Sequence, residues 1–520
     1  MTAALLPPVD ERPTLWERLR DRWTLDPQRH RLISWLAPTL LLILAGALRL
    51  IGVGHPHTLA FDETYYVKDA WSLWALGYEG KWGENANALL AEGDTSTLQP
   101  QSSFVVHPPL GKWVIALGMG LLGPGSSAGW RLMTALLGTL SVLVVYLIAL
   151  ELTRSIAAAS IAGLFLAVDG LAIVLSRIAL LDGILTFFLL LGFLFVLIDR
   201  RHTMPVLEDP RTHARADGAS PLWGRVLWRR PWILAAGAAA GAACAVKWSG
   251  MYALAALGLY LVVTDALARR RAGVALWPSD AALRQGPVSF LLLVPIALVL
   301  YLASWAGWFA TAGGYDRGSD PNPLIALWRY HEAILSFHVG LTSSHPYASP
   351  AWQWPLLLRP TAVWVGGKDQ SCLGSDNCIA TISTIPNPVL WYLGVAAALY
   401  LLFRFVRGLV ERAPMPWTHA IPLVGLAATY LPWLMFPERT IFQFYTVAML
   451  PFLLLALVLA LRDLAGRAAA ARHRRAAGQR TVVIVVIVVL VVSAFFLPLW
   501  VGTTVPYDFW LVHNWMPGWV

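Results

Sequence analysis

Long apolar stretches, separated by short polar segments in which Arg clusters, set the pattern of the chain. Runs long enough to cross a bilayer, or nearly so, lie at about 32–53, 128–150, 156–175, 178–198, 232–247, 249–264, 288–308, 388–403, 419–437, 440–461 and 481–500. Roughly 20 apolar residues of helix cover the hydrocarbon core, so eleven transmembrane helices are predicted. A further apolar segment, 113–123, has only eleven residues between Lys112 and a Gly-Pro turn. It is too short to cross and is predicted to lie along the interface. The runs that meet near 175 and 248 are separated only by Ser-Arg and Lys-Trp-Ser-Gly, which predicts tight hairpins there.

The distribution of basic residues orients this pattern. With the N-terminus inside, the segments 1–31, 152–155, 199–231, 265–287, 404–418 and 462–480 hold 27 of the 39 Lys and Arg. Short cytoplasmic loops carry such an excess, so the count predicts the N-terminus in the cytoplasm and the C-terminus outside. Residues 1–31 then form a cytoplasmic lead-in with no recognisable cleavage site, 32–500 a transmembrane body, and 501–520 an external aromatic tail suited to the membrane interface. Two segments are long and external, 54–127 and 309–387, and both are rich in Trp, Pro, His and acids. No internal repeat is visible.

Composition agrees. At 57% hydrophobic and 13% charged residues, the chain is an all-α polytopic membrane protein rather than a set of soluble domains. The net charge of +9 comes from Arg clusters between apolar runs, which is a topological signal and not a nucleic-acid stripe, so no nucleic-acid partner is expected. Of the three Cys, Cys244 sits in an apolar run, whereas Cys372 and Cys378 are six apart in a polar external loop and can close a small ring on an oxidising side.

Charges in or at the ends of spans are costly, about 2.5–3.5 kcal/mol each at a helix centre, and mark functional sites. Arg49, Arg131, Arg177, Lys247 and Arg439 all fall at outer ends of spans, at one membrane level, with Asp182 beside Arg177. Five cations against the positive-inside bias suit an anion presented at the outer leaflet, and a lipid phosphate is the expected one. For each cation alone, snorkelling to the interface or pairing with an acid remains the alternative.

The first external loop opens with FDETYY. Asp62 and Glu63 are held at the membrane surface beside Phe61, Tyr65 and Tyr66; mutual repulsion should leave one of them a stronger base, suited to a hydroxyl nucleophile. The loop closes with HPPLGKW, where the prolines and Gly111 aim His107 and Lys112 rigidly. In the second loop His331, His338 and His345 recur every seven residues, which on a helix puts the first two on one face. With only Glu332 adjacent, sugar or peptide contacts, or interfacial packing, account for them better than a metal, and none is expected.

Taken together, FDE in the first loop, HPPLGK at its end, GWR entering the second span, SRIALLD, VKWSG, and the stretch from FHVGLT to SPAWQWPLLLRP resemble the protein O-mannosyltransferase family of GT-C architecture, in particular its actinobacterial members. The resemblance runs in order from about residue 45 to 455. The β-trefoil domain that eukaryotic members carry in the second long loop has no room here.

This resemblance implies a GT-C fold and transfer of mannose from polyprenyl-phosphate-mannose to Ser/Thr hydroxyls of secreted or membrane proteins, with inversion, on the outer face of a bacterial plasma membrane. The partners implied are that lipid-linked donor, acceptor polypeptides, met during Sec translocation or after it, and membrane lipids; no cofactor is expected. Matching FDE makes Asp62 the general base and Glu63 its neighbour in acceptor binding or orientation. Matching GWR makes Arg131 a ligand of the donor phosphate, with Arg49, Lys247, Arg177 and Arg439 beside it, and His107, Lys112, His338 and His345 on the substrate loops. A GT-C enzyme that glycosylates a lipid or cell-wall glycan is the alternative, and a transporter, which would carry repeats and midplane charges, a more distant one.

Overall fold

The computed structural model describes residues 12–213, 221–367, 371–413, 415–466 and 469–519. Residues 1–11 of the N-terminal lead-in lie outside the described residues. Polar caps start the helices where the apolar runs predict them. Asp26 accepts the amides of Gln28 and Arg29 ahead of Pro27–Leu50, Ser126 that of Gly129 ahead of Ser127–Thr153, and Asn387 those of Val389 and Leu390 ahead of Pro388–Val410.

Among the described residues, seven helices are long and apolar enough to cross a membrane: Pro27–Leu50, Ser127–Thr153, Leu181–Glu208, Gly250–Arg271, Trp277–Ser304, Pro388–Val410 and Arg472–Val501. Ile156–Val168 and Gly170–Arg177, bent by 58° at the break between them, make an eighth if the pair is counted as one broken span. The other three predicted runs lie on shorter helices, Pro231–Val246, Ile421–Tyr430 and Leu450–Ala465. Eleven apolar runs thus become seven or eight full spans and three short helices. Pro422 opens the second of these three, with Pro432 just beyond its end, and Pro451 stands in the first turn of the third, so neither run sustains one helix across its length.

The bend in the third run falls at Asp169. Its carboxylate accepts the amides of Ala172 (3.1 Å) and Asn387 (2.9 Å), so it caps the second half of the broken span and fastens it to the Pro388–Val410 helix. In Pro231–Val246, a Cβ on Gly237 or Gly241 would run into the backbone of the Gly286–Ser304 helix at Leu293 and Ala297. Small residues here let two helices approach backbone to backbone.

The two long segments predicted to be external fold against the bundle. The first contains the Glu63–Leu76 helix, an antiparallel ribbon of Gly80–Trp82 and Leu98–Ser102, and the Leu110–Leu122 helix, which covers the predicted interfacial segment. The second contains the Pro323–Gly340 helix and strands Ala362–Gly366 and Cys378–Ser383, with Cys372 bonded to Cys378. The C-terminal tail differs from a simple interfacial anchor. Val505–Pro506 adds a third strand to that sheet, and buried Trp519 donates its indole N–H to the Leu357 carbonyl at 2.7 Å.

Candidate active site

The turn that enters the Glu63–Leu76 helix is unusual. Phe61 has φ +50°, the left-handed region, which for a bulky residue costs on the order of 1–3 kcal/mol and persists only when its surroundings enforce it. Those surroundings are aromatic: the rings of Phe442, Phe444 and His345 meet the Phe61 ring edge-on at 5.5, 5.7 and 5.9 Å. The next residue, Asp62, already has helical dihedrals (φ −70°, ψ −3°) instead of the extended ones of a capping residue, and its carboxylate caps nothing. Among the described residues it makes no hydrogen bond or ion pair.

Asp62 instead faces the Lys247–Asp182 pair, whose Nζ–Oδ distances are 2.8 and 2.9 Å. Its carboxyl is pushed up to about 6, first by burial and then by the negative charge of Asp182, while Lys247 pulls it down. Glu63 is not the repelling neighbour that adjacency suggests. It is fully buried, its Oε1 accepts from Arg131 Nε and the Ala179 amide, and its Oε2 accepts from Arg131 Nη2 and the Ala60 amide, all at 2.7–2.8 Å. With four donors on two oxygens, it has no capacity left for an acceptor substrate.

Three of the five expected phosphate ligands are likewise committed elsewhere. Besides Glu63, Arg131 binds the carbonyls of Val53, Pro56 and Thr58. Arg49 binds the carbonyls of Ala45, Leu166 and Ala167 and the Ser176 hydroxyl. Arg177 collects the carbonyls of Leu48, Arg49, Ile51 and Gly52, the orphaned acceptors at the end of the first span. None is more than 5% exposed. These arginines brace the junction between the first span and the first loop, and their buried guanidinium groups already serve protein acceptors. Lys112 is also structural, since it is buried against Glu79 and the His107 carbonyl.

Two cations remain at the site. Lys247 lies 4.8 Å from the Tyr445 ring centroid. Arg439 packs over Trp433 and donates from Nη2 to His338 Nδ1 at 3.0 Å, while its Nε–H has no partner among the described residues. His338 Nε2 lies 2.9 Å from the Val106 carbonyl and must be the protonated nitrogen, which leaves Nδ1 as the acceptor. Burial and then Arg439 lower His338 to about 4, so it is neutral; His107, 5.3 Å from it, is held well below the usual range by burial and by Lys247.

His331 and His338 do share one face of the Pro323–Gly340 helix, both against Trp248. His345 lies beyond that helix, on Phe61 and Phe442. Among the described residues no three ligating side chains converge as a metal site would require. Beside Asp182 a small cleft runs along Leu185 and Leu189 to Ser249, Thr429 and Tyr445.

Sequence reasoning overlooked Asp169, Tyr445 and the partnership of Asp182. The Asp-Gly pair inside an apolar run and the Asp of SRIALLD were the available signals.

The chain is similar to known proteins along most of its length. Residues 96–309 match the family described as dolichyl-phosphate-mannose-protein mannosyltransferase, and residues 324–519 the C-terminal four-transmembrane region of protein O-mannosyltransferase. A polyprenol-phosphate-mannose–protein mannosyltransferase of Mycolicibacterium smegmatis is 33% identical over 94% of this chain and 93% of its own length. Those of Mycobacterium tuberculosis (32%; 94% and 92%) and Corynebacterium glutamicum (30%; 89% and 88%) are similar to nearly the same extent. The Saccharomyces cerevisiae protein O-mannosyltransferase complex bound to its sugar donor shares the fold, with a TM-score of 0.71 at 14% identity over 93% of this chain and 92% of that one. The fold is therefore of GT-C type, and the chain belongs to the protein O-mannosyltransferase family.

Proposed function

We propose that this multi-pass membrane enzyme transfers mannose from polyprenyl-phosphate-mannose to Ser or Thr hydroxyls of polypeptides, with Asp62 as general base. The observation that carries the reading is the free Asp62 carboxylate, lifted to about 6 and set opposite the Lys247–Asp182 pair, in a chain of this family. The acceptor oxygen attacks the anomeric carbon, its proton passes to Asp62, and the bond from that carbon to the phosphate oxygen breaks on the opposite face. One base on the acceptor side and a stabilised leaving group on the other suffice for inversion. Lys247 and Arg439 are the cations placed to meet the departing phosphate. The partnerless Nε–H of Arg439 is a donor in need of an acceptor, and Lys247 can turn one of its donors from Asp182 to the phosphate.

The basic-residue asymmetry and the Cys372–Cys378 bond favour an outer-face site in a bacterial plasma membrane, where secreted chains emerge from Sec translocation. The purified enzyme, given a labelled mannosyl lipid and a Ser/Thr/Pro-rich peptide, should yield α-linked mannosyl peptide from the β-linked donor. Transfer to a lipid or glycan instead of peptide would overturn the acceptor class, and retention of configuration would overturn the single-base mechanism.

A further inference from the structure

The Asp62 carboxylate is free because of the residue before it. A Ser, Thr, Asn or Asp at a helix start ordinarily has extended dihedrals, and its side chain bonds the amides of its own first turn. Asp62 occupies that place in the sequence but not that conformation. The left-handed turn at Phe61 brings Asp62 into the helix one residue early, and the first-turn amides of Glu63, Thr64 and Tyr65 donate to the carbonyls of Ala60, Phe61 and Asp62 instead of to the Asp62 carboxylate. If residue 61 relaxed to an ordinary extended conformation, Asp62 would become a conventional cap, its carboxylate bound by helix amides that favour its charged form.

What prevents that relaxation is the ring of Phe61, set among three others. His345 comes from the second external loop, and Phe442 and Phe444 from the 440–445 segment; Ser349 N–H donates to the Ile441 carbonyl at 2.8 Å and joins the two. Phe442 and Phe444 are themselves stacked at 5.5 Å. The same short segment starts just after Arg439 and ends at Tyr445, beneath Lys247 and on the wall of the cleft.

On the reading that Asp62 is the base, we infer that Phe61 is a positioning residue: its ring, clamped by His345, Phe442 and Phe444, holds the left-handed turn that keeps Asp62 from capping its own helix, and links the base to the donor-side segment 439–445. His345 acts through its ring and not through a nitrogen on substrate.

The test compares Phe61→Leu, Phe444→Leu, His345→Ala and His345→Phe with the wild-type enzyme in peptide mannosylation. The three variants that open the clamp should lose kcat by about tenfold or more with donor KM within about twofold, and the acid limb of kcat should move down by at least about half a pH unit as Asp62 gains amide donors. His345→Phe, which restores a ring, should recover most of the rate. Asp62 titration is read independently of turnover by pH-dependent carbodiimide labelling and mass spectrometry, and should move down with the clamp open. Wild-type kcat in Phe61→Leu, or a fall in kcat and melting temperature with the Asp62 titration unmoved, would overturn the clamp. Failure of the wild-type enzyme to mannosylate peptide would count against the proposed function and leave the labelling result to judge the clamp.

Discussion

Arg131 grips Glu63 through two parallel hydrogen bonds, Nε to Oε1 and Nη2 to Oε2, both 2.7 Å, with neither side chain exposed to solvent. The pair joins residues 68 positions apart and sews the first turn of the Glu63–Leu76 helix to the start of the Ser127–Thr153 span. This frame fixes Asp62 relative to the bundle while leaving its own carboxylate unoccupied.

Removing one partner of a buried ion pair strands the other charge, at a cost of about 3–5 kcal/mol. Arg131→Ala and Glu63→Ala should therefore melt well below wild type in detergent, and Arg131→Lys, which loses the fork, should fall between. Donor affinity of the folded fraction should change little, as read by donor-protection of the melt. A normal melting temperature with donor affinity lost would return Arg131 to the phosphate.

Asp62→Asn keeps the shape of the side chain but cannot take the hydroxyl proton. Turnover should fall at least about 10²-fold with unchanged melting temperature and donor KM. The wild-type pH profile gives the matching sign: the base works only when ionised, so kcat/KM should rise with pH through a midpoint near the Asp62 value of about 6. Stability runs the other way. A carboxyl raised from 3.8 binds its proton more tightly in the native state, so its stabilising contribution is complete below 3.8 and is lost as pH climbs through about 6.

Much of this site is legible along the chain, and the part that is not has a physical cause. Asp62 stands out because a carboxylate just after a span is costly and local, and FDE marks it. Lys247 stands out for the same reason. A charge at a span end reads identically whether it awaits a ligand or satisfies a backbone, however. Arg49 and Arg177 are spent on carbonyls that the broken Ile156–Arg177 span and the end of the first span leave unpaired, and hydropathy averages away the Asp169–Gly170 break that creates part of that demand. Pairings such as Lys247 with Asp182, 65 residues apart, exist only once the helices have packed.

Lys247 and Asp182 pull the Asp62 titration in opposite directions, which gives a test by sign. Asp182→Asn removes the neighbouring negative charge and should move the acid limb of kcat to lower pH; Lys247→Gln should move it higher. Lys247→Gln should in addition raise donor KM, since it removes a cation from the phosphate side. Shifts of the same sign would mean that Asp62 does not feel the pair.

Sidedness underlies the whole mechanism. With 27 of 39 Lys and Arg on one set of loops, residues 54–127 and 309–387 are expected to lie outside. Single Cys residues at Ser96 or Ser319, both exposed, should react with a membrane-impermeant maleimide in intact cells, and one at exposed Ala275 should react only after permeabilisation. The native thiols should not interfere, because Cys244 is buried and Cys372 is bonded to Cys378. That bond should also resist reduction until the outer face is treated with a reductant, since an exposed pair in the cytoplasm would be kept as thiols. Labelling at residue 275 but not at 96 or 319 would place Asp62 and Lys247 in the cytoplasm, away from emerging secreted chains, and the acceptor assignment would fall with it.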